Sequence, residues 1–465
     1  MKFGIGAEKY GNNILIIVML ISCAFVVYII SRNLELRKIF NFRKELKHIK
    51  RQRKTMNKFK EQDGTLLGHI GKKEIYLPDD LKHIFICGTT GTGKTVTLSN
   101  FIKRSMEKNY PLLIIDGKGD TGKGSILDII HTMNPRKKTY VINMNDPLSS
   151  TRYNPFKNAS STIAKDMLIN MTEWSEEHYK VNAERYIQRV LTLFEIAKQP
   201  LSFRRIIKAL NIEQFIKCSG ILLKEGLIDK DTHLENIEIA QTSGKIAQSS
   251  IARFSSITEG EFGKIFADDG IDISQAMREN AIILFILNPL TYPELSPAMG
   301  KLALIDAKQA VGALFKIHKE RTFFMFDEIS SYASPSLVDL VNKSRSANVT
   351  CVLATQSLSD LDYAVNENFK EQIIENCNNY VVMRQNSGVN AEHWAKVLGT
   401  QSTLAVTHQL QQKGLNTSET GFGSARLVRE YIYHPDEIKN LKTGEGIYLS
   451  KDCDTNSKIK IHKPF

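Results

Sequence analysis

One eight-residue segment, Gly88 to Thr95, constrains the fold of this chain more than any other. It reads Gly-Thr-Thr-Gly-Thr-Gly-Lys-Thr, which is the G-x-x-x-x-G-K-[ST] pattern of a phosphate-binding loop. The apolar run His83 to Cys87 comes directly before it and a helical pattern of apolar residues follows, as this motif requires. Its glycines let backbone N–H groups converge on phosphate oxygens, and the next helix adds the positive end of its dipole. The segment predicts a nucleotide-binding α/β domain, and the alternative is a flexible glycine turn.

The loop also predicts the residues that hold the nucleotide and its metal ion. Lys94 is expected to reach the β- and γ-phosphates, and the Thr95 hydroxyl is expected to bind Mg²⁺. ATP and Mg²⁺ are therefore the predicted cofactors. The predicted nucleotide-binding residues are Gly88, Thr89, Thr90, Gly91, Thr92, Gly93, Lys94 and Thr95.

A second element of such a site is an acidic residue at the end of a buried strand, which holds the metal ion and polarises water. The continuous apolar run Thr322 to Phe326 fits a parallel strand buried on both faces, and Asp327 and Glu328 follow it. Asp327 is predicted to hold Mg²⁺, directly or through water, and Glu328 to orient the attacking water. The alternative is that the two carboxylates cap the next element.

A third apolar run, Val349 to Ala354, places the polar residue Gln356 at a strand end. Its amide is a candidate sensor of the γ-phosphate, although strand ends are usually polar whatever their role. Arg345 lies just before this strand, in the last turn of a helix predicted to begin at Ser334 and Pro335. It either stabilises the C-terminal end of that helix or acts as an arginine finger on the nucleotide of a neighbouring subunit.

Residues 14–30 form an apolar run without a charged residue, and they predict a transmembrane helix. As a helix the run is about 26 Å long, near the short end of what a hydrocarbon core of about 30 Å requires. The alternatives are a signal peptide and a buried core helix. A signal peptide is disfavoured because no basic region precedes the run and no small-x-small cleavage site follows it.

The basic charge of the chain is concentrated directly after this run. Residues 31–60 carry twelve Lys and Arg against two Glu, which is most of the formal net charge of +12. The positive-inside rule therefore places residues 31 onward in the cytoplasm and the short segment 1–13 outside it. The basic run suits anionic lipid headgroups, and its alternative is a solvated stalk. Residues 61–465 are almost neutral, so the overall charge does not indicate a nucleic-acid-binding body.

Composition and apolar periodicity describe the rest of the chain. Hydrophobic residues make up 42% of the sequence, too many for a disordered chain. The six cysteines have no C-x-x-C pair, which argues against a zinc module and a disulfide scaffold. Strand-like runs alternate with helical ones, which favours a mostly parallel sheet, except for a helical block at 159–269. The predicted organisation is a non-cytoplasmic segment 1–13, a transmembrane helix 14–30, a basic stalk 31–62, an α/β nucleotide-binding domain 63–158 and 270–452, an all-α insert 159–269 and a C-terminal tail 453–465. The alternative for the last residues, from Lys451 to Phe465, is an edge strand.

The order of these features resembles that of the type IV coupling proteins, the TraD/TraG/TrwB group. The likeness covers nearly the whole chain, from the anchor and basic run through the phosphate-binding loop to the last strands. The segments that carry it after the loop are Asp116-Gly117-Lys118-Gly119-Asp120, Tyr153-Asn154-Pro155-Phe156, Asp327-Glu328, Lys343-Ser344-Arg345, Ala354-Thr355-Gln356-Ser357, His434-Pro435-Asp436-Glu437 and Gly444-Glu445-Gly446.

This resemblance implies a RecA-like P-loop ATPase with an all-α domain, assembled as a homohexamer at the bacterial inner membrane. Such proteins couple ATP hydrolysis to passing DNA, expected here to be single-stranded, with its attached relaxase into a type IV secretion channel. The implied partners are this DNA, the inner-membrane components of the secretion system, membrane lipids and further copies of the chain. By position, the resemblance assigns γ-phosphate sensing to Gln356 and a finger acting in trans to Arg345.

Two other functions compete with this interpretation. One is a chromosome-segregation DNA translocase of the FtsK/SpoIIIE kind, which would usually show several membrane spans and a DNA-reading winged helix after the motor. The other is a receptor for protein substrates that uses ATP only for assembly. An ABC transporter ATPase is disfavoured because the sequence has no L-S-G-G-Q-like stretch.

Overall fold

The computed structural model describes residues 19, 21–30, 32, 63–80, 82–133, 136–172, 174–315, 321–413 and 416–465, without the side chains of 249, 250, 314, 404 and 406–425. Its strands are β1 Gly64–Ile70, β2 Lys73–Pro78, β3 Ile84–Cys87, β4 Leu112–Asp116, β5 Thr139–Asn143, β6 Ile282–Ile286, β7 Thr322–Asp327, β8 Val349–Thr355, β9 Asn379–Val382, β10 Thr400–Lys413, β11 Asn416–Tyr431, β12 Glu445–Ser450 and β13 Thr455–Ile461. Its helices are α1 over residues 21–30, α2 Lys94–Lys108, α3 Ile126–Met133, α4 Ser161–Asn170, α5 Glu177–Ile196, α6 Phe203–Ala209, α7 Ile212–Lys224, α8 Lys230–Ile239, α9 Lys245–Glu259, α10 Ile273–Arg278, α11 Leu295–Leu314, α12 Pro335–Ser344, α13 Leu358–Ala364, α14 Phe369–Asn376, α15 Gly388–Leu398 and α16 Pro435–Lys439.

The chain divides into two compact units. The larger contains Phe59–Thr403 and Arg429–Phe465, and the smaller contains α1 and most of the two-stranded sheet formed by β10 and β11. The rest of the predicted membrane run at 14–30, and nearly all of the basic stalk at 31–62, lie outside the described residues. Within the described part of the chain, no helix combines the length and the apolar character needed to cross a bilayer.

One large sheet organises the larger unit, in the strand order β2-β1-β13-β12-β9-β3-β8-β7-β4-β6-β5. The seven strands from β9 to β5 run parallel, and β12, β13, β1 and β2 extend the sheet antiparallel. Every residue of β3, β4, β6, β7, β8 and β9 is buried, as expected for parallel strands covered on both faces. The prediction of a mostly parallel sheet is therefore confirmed.

The two faces of the sheet belong to two separate hydrophobic cores. On β3, Ile84 and Ile86 pack in the core that contains α2 and α3. Phe85 and Cys87 alternate with them and face the other core, which contains α11, α12 and the helices between α4 and α9. The sheet thus lies between two helical layers, which cover its faces but not the two ends of its strands.

The segment between β5 and β6 holds the helices α4 to α9, with a π-turn at Ala240–Gly244 and a 3₁₀ turn at Glu261–Lys264. Tyr153 closes the base of this insert, because it forms parallel bridges with Phe266 and Ile271 on the returning chain. The Asn154 amide donates to the carbonyl oxygens of Leu201 and Asp268, at 3.1 and 3.3 Å. The Tyr-Asn-Pro-Phe segment therefore ties the insert to the nucleotide-binding domain.

The segment 453–465, which the sequence suggests is a polar tail or an edge strand, contains a strand in the structure. Thr455–Ile461 form β13, which lies between β1 and β12 inside the sheet. Lys458 and Lys460 are exposed, whereas Ile459 and Ile461 between and after them are buried. The polar appearance of this segment arises from one solvated face of a strand, which is why the sequence reads as a tail.

Candidate nucleotide site

The strand order brings the phosphate-binding loop and the acidic pair to the same edge of the sheet. β3 lies beside β8, β8 beside β7, and β7 beside β4, and all four run parallel. Cys87 is in register with Thr355, and Asp116 is in register with Asp327. The carboxyl ends of these strands therefore collect the loop, Gln356 and the acidic residues in one place, which we call the carboxyl edge.

The loop folds as the glycine pattern requires. Gly91 and Gly93 have φ values of 75° and 112°, a region that side chains other than glycine rarely adopt. The Thr92 hydroxyl donates to the carbonyl oxygen of Thr89 at 2.7 Å, which closes the turn before α2. Gly88 has no space for a side chain, because a Cβ there would lie 2.6 Å from the Cβ of Met383.

Lys94 and Thr95 begin α2, directly after the loop. The Lys94 ammonium donates to the carbonyl oxygen of Gly88 at 2.5 Å and lies 3.5 Å from that of Thr89. Burial lowers the pKa of this amine, whereas the charges of Glu328 and Asp327 act in the opposite direction. Thr95 is half-buried in the first helical turn. The positive charge thus lies between the loop and the acidic pair.

Asp327 is buried at the end of β7, and its carboxylate has few compensating partners. Burial first, and then the neighbouring carboxylates of Asp116 and Glu328, raise its pKa to about 7, and Lys94 acts in the opposite direction. The backbone N–H of Glu328 donates to Asp327 Oδ1 at 3.0 Å. A divalent cation bound beside this carboxyl group would favour its charged form.

Glu328 adopts a backbone conformation that is uncommon for its residue type. Its φ and ψ are 50° and 52°, in the left-handed region. Such conformations cost about 1 kcal/mol or more and concentrate at functional sites. The turn directs the Glu328 carboxylate toward Gln356, whose Nε2 donates to Glu328 Oε2 at 2.9 Å.

Gln356 links the loop to the acidic pair. Its Oε1 accepts a hydrogen bond from the Thr90 hydroxyl at 2.9 Å, while its Nε2 holds Glu328. One amide therefore contacts both halves of the site. A group in this position responds to a ligand that displaces either hydrogen bond.

Arg345 does not lie at the carboxyl edge. It is exposed in a 3₁₀ turn that leads into β8 from the opposite end of the sheet, which we call the amino edge. The seven residues of β8 separate it from Gln356, a distance of about 20 Å at the usual rise of a strand. Arg345 cannot reach a nucleotide bound to the loop of its own chain.

Asp116 is a residue of this site that the sequence analysis did not select. It ends β4 opposite Asp327 and is buried, and its Oδ1 accepts from the backbone N–H of Lys118 at 2.9 Å. Burial raises its pKa to about 6. The signal was present in the sequence, because Asp116 directly follows a fully apolar strand, as Asp327 does.

The oxygen atoms at this edge fit Mg²⁺. The cation prefers a few carboxylate and hydroxyl ligands and completes its shell with water and phosphate oxygens. Thr95, Asp327 and the nearby Asp116 supply such oxygens. Among the described residues, no group of three or more His, Cys, Asp or Glu side chains could hold a metal ion alone. Water and the phosphate oxygens of a bound nucleotide would complete the shell of a cation held here.

The chain is similar to several known proteins. A protein of Mycoplasma pneumoniae (strain ATCC 29342 / M129), described as uncharacterized, is 31% identical over 142 residues, which are 30% of this chain and 88% of that protein. The plasmid coupling protein TrwB in complex with ADP and Mg²⁺ superimposes with a TM-score of 0.62 at 16% identity, covering 89% of this chain and 92% of the other. VirB4 of Thermoanaerobacter pseudethanolicus superimposes with a TM-score of 0.53 at 13% identity, covering 87% and 97%.

These likenesses agree with the motif order described above. The structural matches show that the chain shares the fold of TrwB and VirB4. A family model described as the type IV secretion-system coupling protein DNA-binding domain matches residues 70–461. That match includes the phosphate-binding loop, the insert, the acidic pair and β13. The chain therefore belongs to the family of type IV secretion-system coupling proteins.

Proposed function

We propose that this chain is a membrane-anchored ATPase that works as a homohexamer and passes DNA with its attached relaxase to a type IV secretion channel. The observation that carries the proposal is a pair of hydrogen bonds at Gln356, which accepts one from Thr90 and donates the other to Glu328. They connect the phosphate-binding loop to the acidic pair, as hydrolysis coupled to movement requires. Family membership supports the coupling role.

ATP and Mg²⁺ are the proposed cofactors. Solved structures of TrwB hold ADP with Mg²⁺ and the ATP analogue ADPNP. In this chain the loop backbone and Lys94 would hold the phosphates, and Thr95 and Asp327 would hold the cation. Bound Mg²⁺ would neutralise part of the phosphate charge.

The remaining side chains take separate roles. Glu328 orients the attacking water, and Gln356 reports whether the γ-phosphate is present. Arg345, at the amino edge, stabilises the transition state in the neighbouring subunit. This arrangement makes turnover depend on assembly, because each site needs a residue from the next copy.

The proposed location is the bacterial inner membrane, crossed once by residues 14–30. The short N-terminal segment lies outside, and the basic run beginning at residue 31 faces the cytoplasm and anionic lipids. There the chain meets the inner-membrane components of the secretion system. The large unit is cytoplasmic, where the DNA and relaxase are available.

DNA-stimulated hydrolysis tests this proposal. We expect a chain lacking residues 1–30 to hydrolyse ATP slowly as a monomer, and faster when single-stranded DNA promotes assembly measured by sedimentation. Lys94→Ala should lower turnover at least about a hundredfold, because the cation that holds the phosphates is lost. The matched control is Lys103→Ala, which removes an exposed cation from the same helix. Hydrolysis that DNA does not change would contradict the motor and favour the receptor for protein substrates.

A second experiment distinguishes the proposed coupling role from that of a chromosome translocase. Relaxase-bound single-stranded DNA is offered beside long double-stranded DNA, and hydrolysis and assembly are measured with each. The coupling role predicts the larger stimulation with the relaxase complex. A preference for free double-stranded DNA would favour the translocase.

A further inference from the structure

A concave surface at the base of the insert carries a concentration of positive charge. It has a volume of about 490 Å³, and its floor is formed by Phe266 and Ala267. Basic side chains reach it from three separate segments of the chain. We call it the basic cleft, and its basic residues are Arg152, Arg204, Arg205, Lys208 and Lys264.

The basic cleft is rigid underneath. The ring of Phe266 stacks on that of Phe203 with centroids 4.7 Å apart and an angle of 17° between their planes. Both rings are buried, and Phe266 is also bridged to Tyr153 through the backbone. The segments that carry the charges are therefore fixed relative to one another, which lowers the entropy lost when a ligand binds.

Not all of the positive charge is neutralised within the protein. Asp268 accepts from Arg205 Nε at 2.7 Å and from the Ser202 hydroxyl at 2.5 Å, and these bonds lower its pKa. Asp269 pairs with Arg152 at 2.6 Å. The other three cations of the cleft are Arg204, Lys208 and Lys264. Asp268, already bound by Arg205, is the one carboxylate among the residues that line the cleft, and Arg204 also helps to lower its pKa. The cleft therefore keeps an excess of positive charge.

These three side chains are exposed. The charge is local, because residues 61–465 together carry a net charge of only about +1. A cleft with uncompensated cations in a nearly neutral body concentrates the electrostatic field at one place. It is therefore suited to attract a polyanion.

The surface chemistry favours nucleic acid over a protein partner. Protein interfaces have an apolar or aromatic centre, whereas the aromatic ring in this cleft is buried beneath the cations. The same burial leaves no ring for base stacking, so contacts with bases are not favoured. Arginine and lysine on an open surface match phosphate oxygens along a backbone.

We propose that the basic cleft binds the phosphate backbone of the transported nucleic acid, independently of sequence. The proposal rests on the proposed function, and it gives the base of the insert a direct contact with the substrate. It also connects that contact to the sheet, because Arg152 follows the segment that pairs with β5. The nucleic acid would thus touch the domain that binds the nucleotide as well as the insert.

Charge-neutralising variants test this proposal in the full chain, held in nanodiscs of uncharged lipid. Binding of fluorescent single-stranded DNA is measured by anisotropy over a range of salt concentrations. Losing three phosphate contacts should weaken binding about tenfold or more and reduce the salt slope by about 2, at about 0.7 per contact. The control removes three exposed lysines from α7 and α8 of the same insert and should change the affinity less than twofold. The test variant is R204Q/K208Q/K264Q, and the control variant is K217Q/K224Q/K230Q.

A local measurement is needed as well, because the twelve Lys and Arg of the basic run at 31–60 would also attract DNA. A photoreactive benzoylphenylalanine replaces Ala267 in the cleft or, as the control, Lys217 on α7. We expect crosslinks to DNA from position 267 that salt suppresses, and none from 217. Absence of the crosslink at 267 while the chain binds DNA would overturn the proposal. If polyglutamate but not unlabelled DNA suppressed crosslinking from position 267, the proposal would also be overturned, and the result would indicate an acidic protein partner.

Failure of the proposed function gives a different result. If the unmodified chain showed neither DNA binding nor DNA-stimulated hydrolysis, the motor itself would be contradicted. If the unmodified chain showed both, and the triple variant kept its affinity and salt slope, the function would stand and the cleft would not be a binding surface.

Discussion

Burial shifts the pKa values of ionisable groups in opposite directions at the two edges of the central sheet. At the amino edge, His83 is buried and its Nδ1 accepts from the backbone N–H of Cys351 at 3.0 Å, and burial lowers the pKa of the ring to about 4. At the carboxyl edge, Asp327 and Asp116 lie side by side, and burial raises their pKa values to about 7 and 6. The backbone N–H of Cys351 satisfies the His83 ring in its neutral form. At the carboxyl edge, Lys94 alone does not offset the effect of burial and of the neighbouring carboxylates on the pKa of Asp327.

This difference indicates where the fold gives up stability for function. A neutral histidine that links β3 to β8 strengthens the sheet. Two adjacent carboxylates and a left-handed Glu328 weaken the apo protein, and a ligand that brings positive charge would reverse this. We therefore expect the contributions of the two edges to the stability of the protein to change with pH in opposite directions.

The largest stability effect is expected from Asp327→Asn. The raised pKa means that the native state binds more protons than the unfolded state between about pH 4 and 7, so Asp327 costs stability as the pH rises through this window. The substitution should raise the free energy of unfolding of the apo protein by about 2 to 3 kcal/mol more at pH 8 than at pH 5. Urea denaturation at the two pH values measures this.

The control for this experiment is Asp120→Asn, in the exposed loop after β4. The carboxylate of Asp120 pairs with Lys118 at 3.3 Å, and its pKa is lowered by the backbone N–H of Gly122 first of all. That variant should not become more stable at pH 8. If the stability of the Asp327→Asn protein changed with pH as that of the wild type does, the inference that Asp327 destabilises the carboxyl edge would be refuted.

Mixing two inactive variants tests whether the amino edge of one subunit meets the carboxyl edge of the next. Arg345→Ala and Glu328→Gln should each lower ATP turnover about a hundredfold or more. Mixed rings contain some interfaces with both native residues, so partial turnover should return on mixing. No recovery at any ratio would count against Arg345 as a finger acting in trans.

His83→Asn should change the dependence on pH in the direction opposite to Asp327→Asn. The lowered pKa means that the unfolded state binds more protons between about pH 4 and 6.5, so stability is lost as the pH falls. This group should account for about 2 kcal/mol of the loss between pH 7.5 and 5. Asparagine keeps an acceptor without titrating, so the variant should lose less stability than the wild type. His131→Asn, on the exposed end of α3, should behave as the wild type.

The smallest effect is expected from Gln356→Ala. It removes both hydrogen bonds that join Thr90 to Glu328 but leaves the phosphate-binding backbone intact. Turnover should fall about tenfold with nucleotide affinity changed less than threefold, because the amide acts after binding. Single-turnover kinetics and equilibrium binding separate the two quantities. A loss confined to affinity would remove the sensing role.

The strands of the carboxyl edge were predictable because local signals define them. Gly88–Thr95 has a fixed pattern, and the runs ending at Phe326 and Ala354 are continuously apolar, as buried parallel strands require. The sequence analysis missed Asp116 because a single aspartate at a strand end is common. Its importance depends on β4 lying beside β7, which no local pattern encodes.

The antiparallel end of the sheet was not predictable for a related reason. Gly68 of β1 is paired with Ile461 of β13, and nothing near either residue indicates its partner. The hairpin of β10 and β11 was also missed, because its long polar strands lack the apolar alternation that marks a half-buried sheet.

The position of β13 has a consequence for biosynthesis. Its residues leave the ribosome almost 400 residues after β1, which is about 20 to 80 s later at ordinary translation speeds. Throughout this interval β1 exposes unpaired backbone groups on the side that β13 later covers, and these groups are sites for association with other nascent chains. β13 fills the position between β1 and β12, so the sheet is complete only after β13 has left the ribosome.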